Sequence, residues 1–231
     1  MRPVAIFRFS PTEGPGHFGA WLARHDVPQR LIAIDRGESV PADPRVFSGI
    51  AMMGGPMSAN DHLPWNAPLM DLLSVAMRSD IPVLGHCLGG QLLAKALGAK
   101  VTRSATPEIG WGEVRALDAD DWFGSRDGFT AFHWHYEIFD LPRGATRVLT
   151  NAWNPDQAFL FGKHAGFQCH IEMTRPMVET WCRSGAAELP ERTAGQVQSR
   201  ADMFVDLDAR LAALSRVADD FYARWAEGLA S

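Results

Sequence analysis

Cys87 stands in the run Gly85-His86-Cys87-Leu88-Gly89, directly after the apolar residues Ile81 to Leu84 and directly before a stretch rich in leucine and alanine. A G-x-C-x-G turn between a buried strand and a helix is strained in a way that lifts the sulfur out of the sheet. The positive end of the following helix favours a charged sulfur there. The chemistry this suits is nucleophilic attack on a carbonyl. A free cysteine is more often an inert buried thiol, with neighbouring glycines serving only close strand–helix packing; it is the coincidence of strand, turn and helix that favours the nucleophile.

A sulfur that cleaves an amide needs a base that later protonates the leaving amine, and a third group that fixes the tautomer of that base. His170 and Glu172 have the right chemistry, because residues two apart in an extended run project to the same side. His133 and His135 share one side of another plausible strand, and His86 adjoins the sulfur itself. Spacing does not choose between His135 and His170. The oxyanion of a tetrahedral intermediate calls for two main-chain donors, and the N–H groups of Gly55 and Leu88 are suited to that role. No metal is expected, since His133 and His135 have no carboxylate or thiol neighbour at ligand spacing in the sequence. No cofactor is expected either, and phosphate loops of the Gly-x-x-x-x-Gly-Lys kind are absent.

The elements that must position these groups follow from periodicity. Val4 to Phe7, Leu31 to Ile34, Phe47 to Met53 and Ile81 to Leu84 read as buried strands. Gly14 to His25, Asn66 to Arg78 and Leu88 to Leu97 read as loop and helix, helix, and helix, the last closed by Gly98. Alternating strands and helices imply a parallel sheet covered on both faces, with its ligand crevice beyond the carboxyl ends of the strands. From Val101 to Phe139 the pattern suggests further strands, among them Gly112 to Leu117, and a lid over the sheet edge. Phe159 to Phe161 and Gly166 to His170 suggest a hairpin, Pro176 to Arg183 the start of a helix, and Gly185 to Gly195 a linker. Met203, Leu207, Leu211, Leu214, Val217, Phe221 and Trp225 then recur at steps of three or four, which predicts one long amphipathic helix packed on the core or on a partner.

The whole chain, 231 residues of which 46% are hydrophobic, is sufficient for one domain with a helical tail. A net charge of −5 without any Lys/Arg run argues against a nucleic-acid surface, leaving a small molecule or a protein as partner. Cys87, Cys169 and Cys182 show neither disulfide nor zinc-knuckle spacing, which suits a reducing compartment. The apolar start is cut short by Arg8, and no run approaches membrane-spanning length. A cytoplasmic protein with no membrane partner is therefore expected.

With these residues in hand, the sequence resembles the class I, or triad, glutamine amidotransferases, and most closely the glutaminase-like domain related to that of GMP synthase. Gly54-Gly55-Pro56-Met57-Ser58 is similar to the family's oxyanion loop, Gly85-His86-Cys87-Leu88-Gly89-Gly90-Gln91 to its nucleophile motif, and Gln168-Cys169-His170-Ile171-Glu172 to its terminal histidine–glutamate motif. Glu108-Ile109-Gly110-Trp111 and Phe132-His133-Trp134-His135 also resemble family segments. The chain departs from the family at Ile171 (usually proline), at Gly90 (commonly histidine or a bulky residue) and at Tyr136 (often glycine), so the departures bear on the substrate pocket.

The resemblance covers residues 1 to 185 and leaves 186 to 231 as a linker with an amphipathic helix packed on the catalytic domain. It implies a three-layer, doubly wound, mostly parallel sheet of flavodoxin-like form with a C-terminal helical extension. It also implies a triad of Cys87, His170 and Glu172, an oxyanion hole at Gly55 and Leu88, and a substrate pocket bounded by Gln91, His135 and Tyr136. The activity implied is hydrolysis of the γ-amide of glutamine through a γ-glutamyl thioester, with release of ammonia. A synthase partner chain would then accept the ammonia. A γ-glutamyl peptide or conjugate hydrolase with the same triad is the alternative, and a regulatory subunit without catalysis is a more distant one.

Overall fold

The computed structural model describes residues 1–117 and 122–229. β1 (Val4–Arg8), α1 (Gly16–Arg24), β2 (Gln29–Ala33), β3 (Gly49–Met52), α2 (Asn66–Arg78), β4 (Val83–His86) and α3 (Leu88–Ala96) make the first half. β5 (Val101–Ala116), β6 (Gly128–Phe139), β7 (Thr146–Thr150), β8 (Ala158–Phe161) and β9 (His164–Phe167) follow, and then α4 (Arg175–Ser184), α5 (Arg200–Phe204) and α6 (Leu207–Ala226). The strands form one nine-stranded sheet in the order β2-β1-β3-β4-β9-β8-β7-β5-β6.

Alternate residues of β1 serve opposite faces of this sheet. Val4 and Ile6 join a core with Phe18, Trp21 and Leu22 of α1, Val178 of α4 and Phe221 of α6. Ala5 and Phe7 join a second core with Leu69, Leu72 and Leu73 of α2 and Leu92 and Leu93 of α3. A strand buried on both sides needs the continuous apolar run seen at Val4 to Phe7, which is why these strands are legible as parallel ones.

The expectation of a mostly parallel sheet needs correction, because the sheet is mixed. β2, β1, β3, β4 and β9 run parallel, whereas the pairings of β9 with β8, β8 with β7, β7 with β5 and β5 with β6 are antiparallel. The physical reason lies in the connections. Two residues separate β8 from β9 and no helix lies between β5 and β8, and without a crossover successive strands pair antiparallel.

Two other expectations shift. The long helix foreseen from Met203 to Trp225 is broken into α5 and α6, with Asp206 in the left-handed region at φ 51°; the apolar repeat runs through the break because both pieces face the same core. The strand foreseen to reach His170 stops at Phe167. Beyond it the His170 backbone is held by a bridge to Phe132 of β6, donating its N–H to the Phe132 carbonyl at 2.8 Å. The segment after α4 is also tied back, since Ile109 of β5 donates to Gln196 O and accepts from Gln198 N, both at 2.9 Å. No helix among the described residues is long and apolar enough to cross a membrane.

Candidate active site

The carboxyl ends of β1, β3, β4 and β9 open on one cavity of about 690 Å³, whose wall includes Glu13, Gly55, Cys87, Gln91, His135 and His170. Cys87 sits between β4 and α3 with φ 49° and ψ −107°, a conformation costly for any residue with a Cβ. The turn is held by two backbone hydrogen bonds, from Cys87 N to Phe167 O at 2.8 Å and from Gln91 N to Cys87 O at 2.9 Å. Its glycines answer to close approach: a Cβ at Gly85 would overlap the carbonyl of Gly89, and one at Gly90 the carbonyl of Phe167. Gly90 therefore faces β9 and forms no part of the cavity wall, so the departure there concerns packing under the nucleophile and not pocket shape.

His170 Nδ1 lies 2.6 Å from Glu172 Oε1, and both side chains are almost wholly buried. Burial by itself would pull the His170 ring down, but the hydrogen-bonded Glu172 carboxylate and then the nearby Cys87 sulfur hold it well above the ordinary histidine range. Burial would likewise raise Glu172, yet neighbouring charge and the His170 hydrogen bond bring it to about 2. His86 Nε2 stands 3.7 Å from Glu172 Oε2. Burial pushes the His86 ring down against the opposing pull of Glu172, and Glu172 is lowered by His86 first and then by His170. His86 is turned away from the cavity, stacked on Phe167 with centroids 5.7 Å apart and 3.5 Å from the Tyr222 hydroxyl of α6. Among the described residues, then, the structure brings Cys87, His170 and Glu172 together and leaves His86 on the opposite side.

Leu88 is the first residue of α3, so its N–H has no partner within the helix. Gly55 lies across the cavity at the end of β3, packed so closely that a Cβ would press on the Leu88 side chain at 2.7 Å. Gln91 is on the wall with its amide fixed, donating to Glu137 O at 3.0 Å and to Gln168 Oε1 at 3.3 Å. Tyr136 is on the rim, its hydroxyl donating to Glu188 Oε2 at 2.8 Å. Burial first, and then Glu188, push that phenol up to about 12. His135 lines the cavity but turns Nε2 toward Glu108, 3.4 Å from Oε2.

Sequence reasoning missed four contributors. Gln168 places Nε2 3.9 Å from Cys87 Sγ, and Trp181 of α4 packs edge-on against the His170 ring with centroids 4.8 Å apart. Glu188, beyond residue 185, joins the wall. Glu13, in the loop after β1, carries a carboxyl that reaches the Gly54 backbone beside His170: a Cβ at Gly54 would overlap Glu13 Oε2 and come within 3.2 Å of His170 Cε1. Burial raises Glu13 to about 7, against the opposing pull of His170. Gln168 belongs to a motif already singled out and could have been read as a neighbour of the nucleophile; nothing local marks Glu13.

A further group lies behind His135. Sequence spacing gives His133 and His135 no carboxylate neighbour, but the β5–β6 register sets Glu108 directly opposite His135. The three are buried together. Burial lowers His133 to about 3 and His135 further below its usual value, and it raises Glu108 despite hydrogen bonds from Asn151 and Gln157.

Comparison with known proteins bears on the whole arrangement. The family model described as glutamine amidotransferase class-I matches residues 32–177. The chain is 31% identical over 204 residues to the glutamine amidotransferase-like protein YfeJ of Salmonella typhimurium, covering 83% of this chain and 84% of that one. It is 33% identical over 153 residues to the glutamine-hydrolysing GMP synthase of Aeropyrum pernix, covering 63% of this chain but only 28% of the synthase. Among solved structures, a glutamine amidotransferase from Methylobacillus flagellatus superposes with a TM-score of 0.97 at 45% identity, covering all of this chain and 96% of the other.

Proposed function

The chain belongs to the class-I glutamine amidotransferase family, and on that premise we propose that it hydrolyses the side-chain amide of glutamine with Cys87 as nucleophile, His170 as proton carrier and Glu172 as the anchor of that ring. It is an enzyme of glutamine hydrolysis and ammonia transfer in the general sense of the family. The observation that supports the finer reading is the His170–Glu172 pair, 2.6 Å apart, whose ring shares a cavity wall with Cys87.

Sγ adds to the amide carbon, and the oxygen that takes up the electron pair is stabilised by the N–H groups of Gly55 and Leu88. His170 passes its proton to the amide nitrogen as the C–N bond breaks, which frees ammonia and leaves a γ-glutamyl thioester. His170, now neutral, takes a proton from water as that water attacks the thioester carbon, and glutamate leaves with the sulfur restored. Glu172 holds Nδ1–H through both steps, so Nε2 always faces the reaction. Gln91, His135 and Tyr136 bound the space for the glutamine backbone, while Trp181 and Gln168 keep the ring and the sulfur in place.

Residues 1 to 185 are the catalytic domain in this reading, and 186 to 231 an extension that closes it. The apolar face of α6, including Phe221, Tyr222 and Trp225, is buried in the core, which leaves that stripe unavailable for a regulatory partner. The ammonia acceptor is on another chain, a reading supported by relatives whose names make them one subunit of a glutamine-hydrolysing GMP synthase. Assay of the purified chain with glutamine and with γ-glutamyl dipeptides tests the proposal. Ammonia from glutamine, a covalent γ-glutamyl adduct on Cys87, and neither in Cys87→Ser are expected. Unchanged turnover in Cys87→Ser defeats the mechanism, and turnover of dipeptides alone transfers the same chemistry to a γ-glutamyl peptide.

A further inference from the structure

β5 and β6 are paired so that Glu108 faces His135, and His133, two residues earlier on β6, projects from the same face. One donor atom from each of the three lies within 4.8 Å of the others. The shorter separations are 3.4 Å between His135 Nε2 and Glu108 Oε2 and 4.0 Å between His133 Nδ1 and Glu108 Oε1. All three residues are buried, exposed by 3% or less.

The two rings differ from the other buried polar groups of this site in one respect. Both nitrogens of His133 and both of His135 lack a hydrogen-bond partner, although His133 Nε2 leans toward the Gly112 backbone, 3.2 Å from where a Cβ would stand. Leaving one buried polar group unsatisfied costs about 1–3 kcal/mol. Glu108, by contrast, is held from outside the cluster, Oε1 accepting from Asn151 at 2.5 Å and Oε2 from Gln157 at 2.9 Å. A carboxylate oriented by amides and aimed at two imidazoles with idle lone pairs is the outer and inner arrangement of a metal centre.

We propose that Glu108, His133 and His135 bind a divalent first-row transition ion of the zinc class. Two imidazole nitrogens and one carboxylate suit zinc, whereas magnesium and calcium require mostly oxygen. Zinc–ligand bonds of roughly 2.1 Å put tetrahedral ligands about 3.4 Å apart, so the pair His135–Glu108 already has the spacing and the His133 ring needs only a small rotation. The ion has a way in: Glu108 lines a second cavity, of about 970 Å³, on the side away from Cys87. On the other side His135 lines the cavity that holds Cys87. The site shares His135 with the wall of the Cys87 cavity, but binding of the ion does not require the sulfur.

The test is titration of the chelator-treated full chain with zinc and with cobalt, followed by metal analysis and by the visible spectrum of the cobalt form. One ion per chain, d–d bands without a thiolate-to-metal charge-transfer band, and the same result in Cys87→Ser are expected. Affinity falls on the order of 100-fold or more in Glu108→Gln and in His133→Gln. Circular dichroism establishes which of the two variants is folded, and either suffices. Absence of saturable binding overturns the proposal, as does binding that carries a thiolate band, disappears in Cys87→Ser and survives in His133→Gln.

Discussion

Two buried groups of histidine and carboxylate share the wall of one cavity, and they handle their charge in opposite ways. Beside Cys87, the His170 ring and the Glu172 carboxylate pair at 2.6 Å, and the imidazole is held above its ordinary range in spite of burial. At His133 and His135, beside Glu108, burial pulls both imidazoles well below their ordinary range, and their ring nitrogens face no opposite charge closer than 3.4 Å. Burial penalises charge equally in both places. What differs is a carboxylate within close hydrogen-bond reach, 2.6 Å for His170 against 3.4 and 4.0 Å for His135 and His133, so in the proposed chemistry the single histidine of the first group carries a proton and the two of the second offer lone pairs.

The largest expected effect tests the first half of that contrast. Glu172→Gln keeps the shape but removes the charge that holds His170, and kcat should fall on the order of 10²–10⁴-fold with KM little changed. Steady-state kinetics showing less than a threefold loss would place the charge elsewhere and erase the distinction between the two groups.

Glu13 offers an intermediate test, since it is the carboxyl near His170 that burial has raised, from the ordinary 4.5 to about 7. The sign follows from linkage: its folded form binds the proton more tightly, so the stability it contributes is whole below about pH 4.5 and lost as pH rises through about 7. Glu13→Gln should match the wild type near pH 4 and exceed it by up to about 3 kcal/mol above pH 8, at 1.36 kcal/mol per pH unit. Urea denaturation at acid and alkaline pH reads this directly, and a gain that does not grow with pH would show that the carboxyl is solvated.

The smallest effect concerns the second group. Replacing an unpartnered buried imidazole by a hydrocarbon should stabilise the metal-free chain, so His133→Leu should gain on the order of 1–2 kcal/mol in thermal or urea melts. With zinc at about a hundred times its dissociation constant the wild type should gain about 2.7 kcal/mol and overtake it. Loss of stability without metal would mean that His133 is satisfied, and the contrast would fail on that side.

Much of the first group is legible in the chain. The cysteine turn is written within seven residues because its glycines answer to backbone approaches inside one strand–turn–helix unit and the strand beside it. The pairing of His170 with Glu172 is legible from a spacing of two, even though the strand that suggested it ends at Phe167 and the bridge to Phe132 does the holding. Helix α2 falls on the span its leucines predict. The halves of the sheet divide along the same line: strands flanked by helices declare themselves parallel, while the register of a long hairpin does not show in composition.

Sequence by itself determined the cysteine turn, the candidate nucleophile and base, and the alternation that builds the parallel half, because each is set by neighbours a few residues away. Only the tertiary structure decided that His135 turns toward Glu108 while His170 pairs with Glu172, that Glu13 lies over Gly54, and that Glu108 stands opposite His135. Those placements depend on strand order and on a hairpin register that shifts between Arg103 and Glu108, and a shift of one residue there would turn Glu108 to the other face.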